Sequence, residues 1–238
     1  MLSWSRIVVF VAAAAAAAGT ARLGLWQLDR AEQKLRAQAE IDRRERLPPL
    51  TLAELARQPA QLAAQRQRRA EVEGRWLNRW TLYLDNRAMD GRAGFIVLTP
   101  LALDDGSALL VERGWVARDF HDRTRVPPPP DEPGRVQVHG RIVDGPARVF
   151  EFDSAARGAI RQNVDLRELA RETGLDLRPV SLRQTGPHPS ALLRDWPRPD
   201  TGVAKNHGYA FQWFALCALI VFLYVWFQVL RPRRRSDA

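Results

Sequence analysis

One cysteine, Cys217, stands among 238 residues. An intramolecular disulfide and a thiolate metal cluster are both excluded, so any folded domain must hold by its core alone. Enzyme signatures are missing as well: there is no His-Glu-x-x-His, no Gly-x-Ser-x-Gly, no Gly-x-x-x-x-Gly-Lys and no Cys-x-x-Cys. A membrane-anchored hydrolase would need a nucleophile and a base that this chain does not display. Lysine is nearly absent, with only Lys34 and Lys205 among 36 basic residues. The formal charge of +9 gathers at the ends, since residues 1–25 carry +2 and residues 231–238 carry +3. No long basic run lies between them, which argues against a nucleic-acid partner. No repeat of fixed period is visible.

What is present is apolar sequence concentrated in segments: hydrophobic residues make up 46% of the chain although the mean hydropathy is -0.31. Residues 209–230 hold no charge over 22 positions, about 33 Å of helix and enough to cross a hydrocarbon core. Arg231 and Arg233 to Arg235 follow at once. Such a cluster stays cytoplasmic, which assigns the central stretch to the opposite side. The first span, residues 7–28, is weaker, since its uncharged part at 7–21 is mostly alanine and Arg22 interrupts it. Arg22 is expected to snorkel or to face a partner helix, and the alanines to pack against the second span. Arg6, a 15-residue apolar stretch and the small residues Gly19 and Ala21 also fit a cleaved signal peptide.

A charged helix continues from the first span to about residue 46, where Pro48 and Pro49 stop it. Thr51 with Glu54 resembles a capping box, and one or two short helices are expected across residues 51–66. The pattern then changes to period two. Strands are expected at 70–76, 80–84, 95–103, 108–116, 135–143 and 179–184. Asp104-Asp105-Gly106 marks a hairpin, Asp85-Asn86-Arg87 the end of the second strand, and Pro127 to Pro130 a stiff connector. Residues 165–173, closed by Gly174, predict a short amphipathic helix.

Of the four histidines, His121 and His139 stand alone and His188 lies between two prolines. His207 has the informative address, since Asn206 precedes it and Tyr209, Phe211, Gln212, Trp213 and Phe214 follow at the start of the second span. Imidazole is a common axial ligand to haem iron and aromatic rings pack on a porphyrin. The ordinary alternative is an aromatic belt at a membrane boundary. Arg113 and Trp115 share a strand face and could bind an acidic group and a ring, or simply pack a hairpin with arginine on tryptophan. Gly114 between them predicts a bulge or a close backbone approach.

These residues assemble into a pattern. Leu25-Trp26-Gln27 with Arg30 and Lys34, Gly74-Arg75-Trp76, Thr99-Pro100-Leu101, Leu110 to Val116, and Asn206-His207 with Tyr209-Ala210 and Gln212-Trp213-Phe214 occur in that order. The chain resembles the surfeit-locus family of cytochrome c oxidase assembly factors over nearly its whole length. The resemblance implies a non-enzymatic protein that assists maturation of the haem-copper oxidase catalytic subunit, alongside other assembly factors. It implies haem a as cofactor, with His207 corresponding to the proposed axial ligand; Tyr209 and Trp213 are taken as pocket residues. The rival expectation is a membrane-anchored scaffold that binds oxidase subunits without a cofactor.

The expected architecture is a membrane protein whose two transmembrane helices flank an α+β extramembrane domain, built on an antiparallel β-sheet or partly closed barrel with short helices. By residue, this means a first span at 7–28 with its helical extension, a periplasmic β-rich domain at 47–205, a second span at 209–230 and a basic cytoplasmic tail at 231–238. The short lead before the first span leaves no room for a mitochondrial presequence, so a bacterial inner membrane is expected, with both termini cytoplasmic.

Overall fold

Period-two alternation between residues 69 and 184 produces strands whose two faces bury different things. The computed structural model describes residues 4–119, 121–122, 125–146, 158–186, 192–196 and 202–230. The tail at 231–238 and His188 lie outside the described residues, as do parts of the proline-rich stretch before Val203. The chain forms two compact units, Met1–Glu40 with Pro199–Ala238, and Ile41–Arg198.

The second unit is a β-barrel. Its strands are β1 (Arg69–Trp76), β2 (Leu82–Met89), β3 (Arg92–Leu103), β4 (Ala108–Ala117), β5 (Val136–Val143), β6 (Ile160–Arg161) and β7 (Leu177–Gln184). They are ordered β1-β5-β7-β4-β3-β2-β6, and β1 also pairs with β3. That pairing sets Gly74 opposite Leu103, Arg75 opposite Ala102 and Trp76 opposite Leu101, closing five strands into a ring. Closure satisfies edges that would otherwise be open to other chains. The sheet is mixed rather than wholly antiparallel, because β4 pairs parallel with β7 and β2 parallel with β6. Alternating residues that face one side are compatible with either direction, so sequence pattern alone does not separate them.

Each of the five ring strands sends residues into one core: Ala70 and Val72, Leu101 and Leu103, Leu109 and Val111, Val138 and Ile142, Val180 and Leu182. On the opposite face, Leu82, Leu84, Leu98 and Leu110 are covered by Val164 and Leu169. Leu169 belongs to α3 (Leu166–Thr173). Asp165 caps this helix by accepting bonds from the backbone N–H of Arg167 and Glu168 at 2.9 and 3.2 Å, and Gly174 ends it at φ 69°.

One expectation changes. Strand β2 does not end at Asp85-Asn86-Arg87; it bulges there, with Asn86 at φ 58°, and runs on to Met89. An Asx-type sequence serves a bulge as readily as a turn because both need one residue in the left-handed region. Between Thr51 and Arg66 the one or two short helices expected are met by one, and the segment at Thr51 is a turn. Glu54 accepts from the Thr51 N–H and hydroxyl at 2.8 and 2.9 Å, and the helix is confined to a 3-10 turn at Pro59–Gln61 and α2 (Leu62–Gln65).

The first unit holds α4 (Val203–Tyr224) and α1 (Trp4–Arg46) up to Glu40, and both helices are long and apolar enough to cross a membrane. A π-helical turn, Val225–Leu230, follows α4. They run antiparallel: the Phe10 and Tyr224 rings lie 5.8 Å apart, and the Cys217 thiol donates to the Ala17 carbonyl at 3.3 Å. Ala21 apart, residues of α1 between 13 and 34 that lose exposure recur at 13, 17, 20, 24, 27, 31 and 34, and those of α4 at 203, 206, 210, 213, 217, 220 and 224. Alternating steps of four and three are the spacing of a coiled-coil seam. The α1 side is Ala, Ala, Thr, Gly, Gln, Ala and Lys, so small residues admit the larger side chains of α4.

Gly74 lets β1 and β3 close on each other, because a Cβ there would sit 2.3 Å from the Ala102 carbonyl oxygen. Gly74→Val is expected to lower stability by about 3 kcal/mol or more, since a strand pair must separate to admit it. Thermal unfolding of the full chain in detergent measures this, and an unchanged midpoint would contradict the closure.

Candidate functional site

Three polar side chains meet in the seam at the Val203 end of α4. Asn206 donates from Nδ2 to Gln27 Oε1 at 2.5 Å and accepts at Oδ1 from Lys34 Nζ at 2.7 Å. Its amide is therefore committed on both sides. Gln27 and Lys34 are seven residues apart, two helical turns, and so lie on the same face of α1. Close packing continues from this layer: a Cβ on Gly24 would lie 2.8 Å from the Phe214 ring, and Ala31 and Ala210 are buried.

His207 adjoins this layer but its side chain is exposed. Tyr209 is 53% exposed and Trp213 half-buried. Helix geometry separates the three expected site residues. At about 100° per residue, Tyr209 is about 200° and Trp213 about 240° around α4 from His207. The rings on the His207 side are instead Phe211 and Phe214, one and two turns along, exposed by 74% and 36%. The 3.6-residue period was the available signal for them. Missed too was the seam role of Gln27, Lys34 and Asn206, which only a partner helix reveals.

The donor set suits a haem better than a bare ion. Among the described residues no group of three or more His, Cys, Asp or Glu could hold a metal. A porphyrin supplies four nitrogens itself and asks the protein for one or two axial donors and apolar rings. An open imidazole on the same side of α4 as Phe211 and Phe214 is compatible with that requirement. His121 lies beside Asp119 at 3.7 Å and His139 beside Glu71 at 3.6 Å, both exposed and both near carboxylates.

The barrel uses its own partners for the other motif. Arg113 is wholly buried; it stacks 4.2 Å from the Trp76 ring centre and donates to Glu132 at 2.6 Å and to the Pro130 carbonyl at 3.2 Å. The acidic group and the ring are thus internal, and the ring is Trp76 rather than Trp115. Trp115 donates to the Arg87 carbonyl at 2.8 Å. Gly114 does mark a close approach: a Cβ would lie 2.7 Å from Leu192, whose neighbour Leu193 exchanges backbone bonds with Trp115. The strand register shifts there, with Arg113 as the bulged residue.

Beside it, Glu112 is fully buried. One oxygen accepts from Arg183 Nε at 2.5 Å and the other, Oε1, has no hydrogen-bond partner. Burial raises its pKa above the ordinary glutamate value, against the opposing pull of Arg183 and Arg87. Burial likewise lowers the pKa of Arg113, opposed by Glu132.

Asn206→Leu strands the half-buried Lys34 ammonium and is expected to cost about 1–3 kcal/mol. Adding Lys34→Leu should recover part of that loss in a thermal-unfolding double-mutant cycle, and strict additivity would deny the coupling. For Glu112 the raised folded pKa means that protonation favours the native state. That contribution is complete below pH 4.5, the unfolded value, and is lost as pH rises through the raised folded pKa. The melting temperature of wild type relative to Glu112→Gln should therefore increase on acidification toward pH 4.5; a constant difference would refute the assignment.

Comparison with known proteins places this geometry. The model of the SURF1 family matches residues 14–218. An uncharacterised SURF1-like protein of Mycobacterium bovis is 28% identical over 221 residues, covering 91% of this chain and 81% of the relative. A counterpart in Mycobacterium tuberculosis matches with the same identity and coverage. Surfeit locus protein 1 of Arabidopsis thaliana is 30% identical over 132 residues, 51% of this chain and 36% of that protein. The match spans the exposed His207, the polar layer of the helix seam and the closed barrel, and the chain belongs to the SURF1 family, a family linked to cytochrome c oxidase assembly.

Proposed function

We propose that this chain is a membrane-anchored, non-catalytic assembly factor for cytochrome c oxidase that holds haem a on His207 for the maturing catalytic subunit. The observation that carries the reading is the exposed imidazole of His207 two residues before the uncharged run of α4, next to an asparagine locked by Gln27 and Lys34. Family membership supports the oxidase as client. The two apolar helices support an anchor in a bilayer. The arginine-rich sequence after Leu230 supports a cytoplasmic tail and a periplasmic barrel in a bacterial inner membrane.

In this reading His207 would hold the haem through its imidazole, and Phe211 and Phe214 would offer it apolar surface. Asn206, pinned by two hydrogen bonds, limits rotation of α4 and so holds the direction of its neighbour. The bound group supplies colour and redox chemistry of its own; the chain binds and orients it.

A scaffold without cofactor is favoured by one observation, that His207 stands open rather than inside a cavity. Purification from cells that make haem a separates the two. Wild type should carry haem with a Soret band that His207→Ala loses or shifts. Equal haem content and identical spectra in both would remove the ligand role, and co-purification of oxidase subunits without chromophore would establish the scaffold.

A further inference from the structure

The two long helices have apolar zones of the same extent. On α1 no charged or amide side chain occurs from Ile7 to Ala21, and on α4 and the turn after it none occurs from Trp213 to Phe227. Arg6 and Arg22 close the first zone, Gln228 and Gln212 the second. The pairing contacts put these residues in common layers. Arg6 and Gln228 each lie four positions beyond the Phe10–Tyr224 pair, and Arg22 and Gln212 each lie five positions beyond the Ala17–Cys217 pair. The polar residues therefore mark two levels of the helix pair rather than isolated interruptions.

The spacing of those levels is informative. Arg6 to Arg22 covers about 24 Å of helix axis, against about 30 Å for a hydrocarbon core. Centred in a bilayer, each arginine backbone would sit about 3 Å inside the apolar edge, within reach of a side chain that extends to the phosphates. Arg22 also points the right way. It lies two residues from Gly24, the closest-packed α1 residue of the seam, and so about 200° around the helix from it. The side chain is exposed and has no partner among the described residues. Trp26, one turn further on the same side, is 52% exposed, as suits an interfacial indole.

We propose that Arg22 is a binding site for the phosphate of a phospholipid in the leaflet at the Tyr209 end of α4, with Trp26 beside it at headgroup level and Arg6 as its counterpart in the other leaflet. This rests on reading α1 and α4 as membrane spans. Guanidinium and phosphate are matched in charge and in planar donor geometry. The boundary depth, shared with Gln212, favours a lipid over a carboxylate on another protein's membrane helix, which would suit an arginine at mid-span.

The test uses the full chain carrying 13C-arginine in phosphatidylcholine bilayers, with guanidinium carbon dephasing by lipid 31P measured by solid-state NMR. Subtracting the Arg22→Leu spectrum from wild type should leave a strongly dephased guanidinium signal, and Arg22→Gln should lose the same component. A difference signal with no phosphorus coupling would overturn the proposal. So would loss of oxidase subunits from Arg22→Leu preparations while phosphorus coupling stays unchanged, since that assigns Arg22 to a protein carboxylate. Alkaline carbonate extraction of wild type keeps the underlying reading separate: release from the membrane would sink the spans themselves, whereas retention without phosphorus contact sinks only the Arg22 site.

Discussion

Helices that meet through alanine and glycine can slide, because a smooth seam offers little resistance to a change of register. Three hydrogen-bonding side chains remove that freedom in this protein. Asn206 bonds Gln27 on one side and Lys34 on the other, and a slip of one turn would break both bonds and leave an ammonium with no acceptor in a close-packed seam. From that layer the other contacts follow in step: Phe214 over Gly24, Cys217 on Ala17 and Tyr224 against Phe10. The register also decides which residues remain outside the seam, and His207, Arg22 and Trp26 are among them.

The barrel meets the absence of disulfides by closure. Joining β1 to β3 gives every ring strand two neighbours, and the core within is assembled from all five. Closure demands that backbones pass close together, and Gly74 and Gly140 stand where they do, each with a carbonyl oxygen within 2.4 Å of the missing Cβ. The buried charges are handled internally. Arg113 has Glu132 and Trp76, Glu112 has Arg183, and Arg178 reaches Asp105 and Ser107. Charges paired in this way hold segments to the barrel more than they offer a binding surface, and the proline-rich connector is held by the Arg113 pair.

Much of the fold was legible because its signals are local. The α3 helix was readable from Asp165 at its start and Gly174 at its end, and the β3–β4 hairpin from Asp104-Asp105-Gly106. Asn86 was misread as a strand end, since a bulge and a turn use the same backbone conformation. The parallel β4–β7 pairing was not readable, because neighbours in a sheet are chosen by the whole topology. At the candidate site, His207 was visible from its place at the head of an uncharged run. Tyr209 and Trp213 were grouped with it by nearness along the chain, whereas a helix places Phe211 and Phe214 on its side.

Local sequence accounts for the existence of both apolar helices and of the alternating strands between them, since each depends on residues close together along the chain, and the single cysteine alone rules out an intramolecular disulfide. The tertiary structure decided which alanines of α1 face α4, which ring satisfies Arg113, that the barrel closes through β1 and β3, and that Asn206 has two partners more than 170 positions away. Those outcomes depend on surfaces meeting across the fold, and no local pattern encodes which surface will arrive.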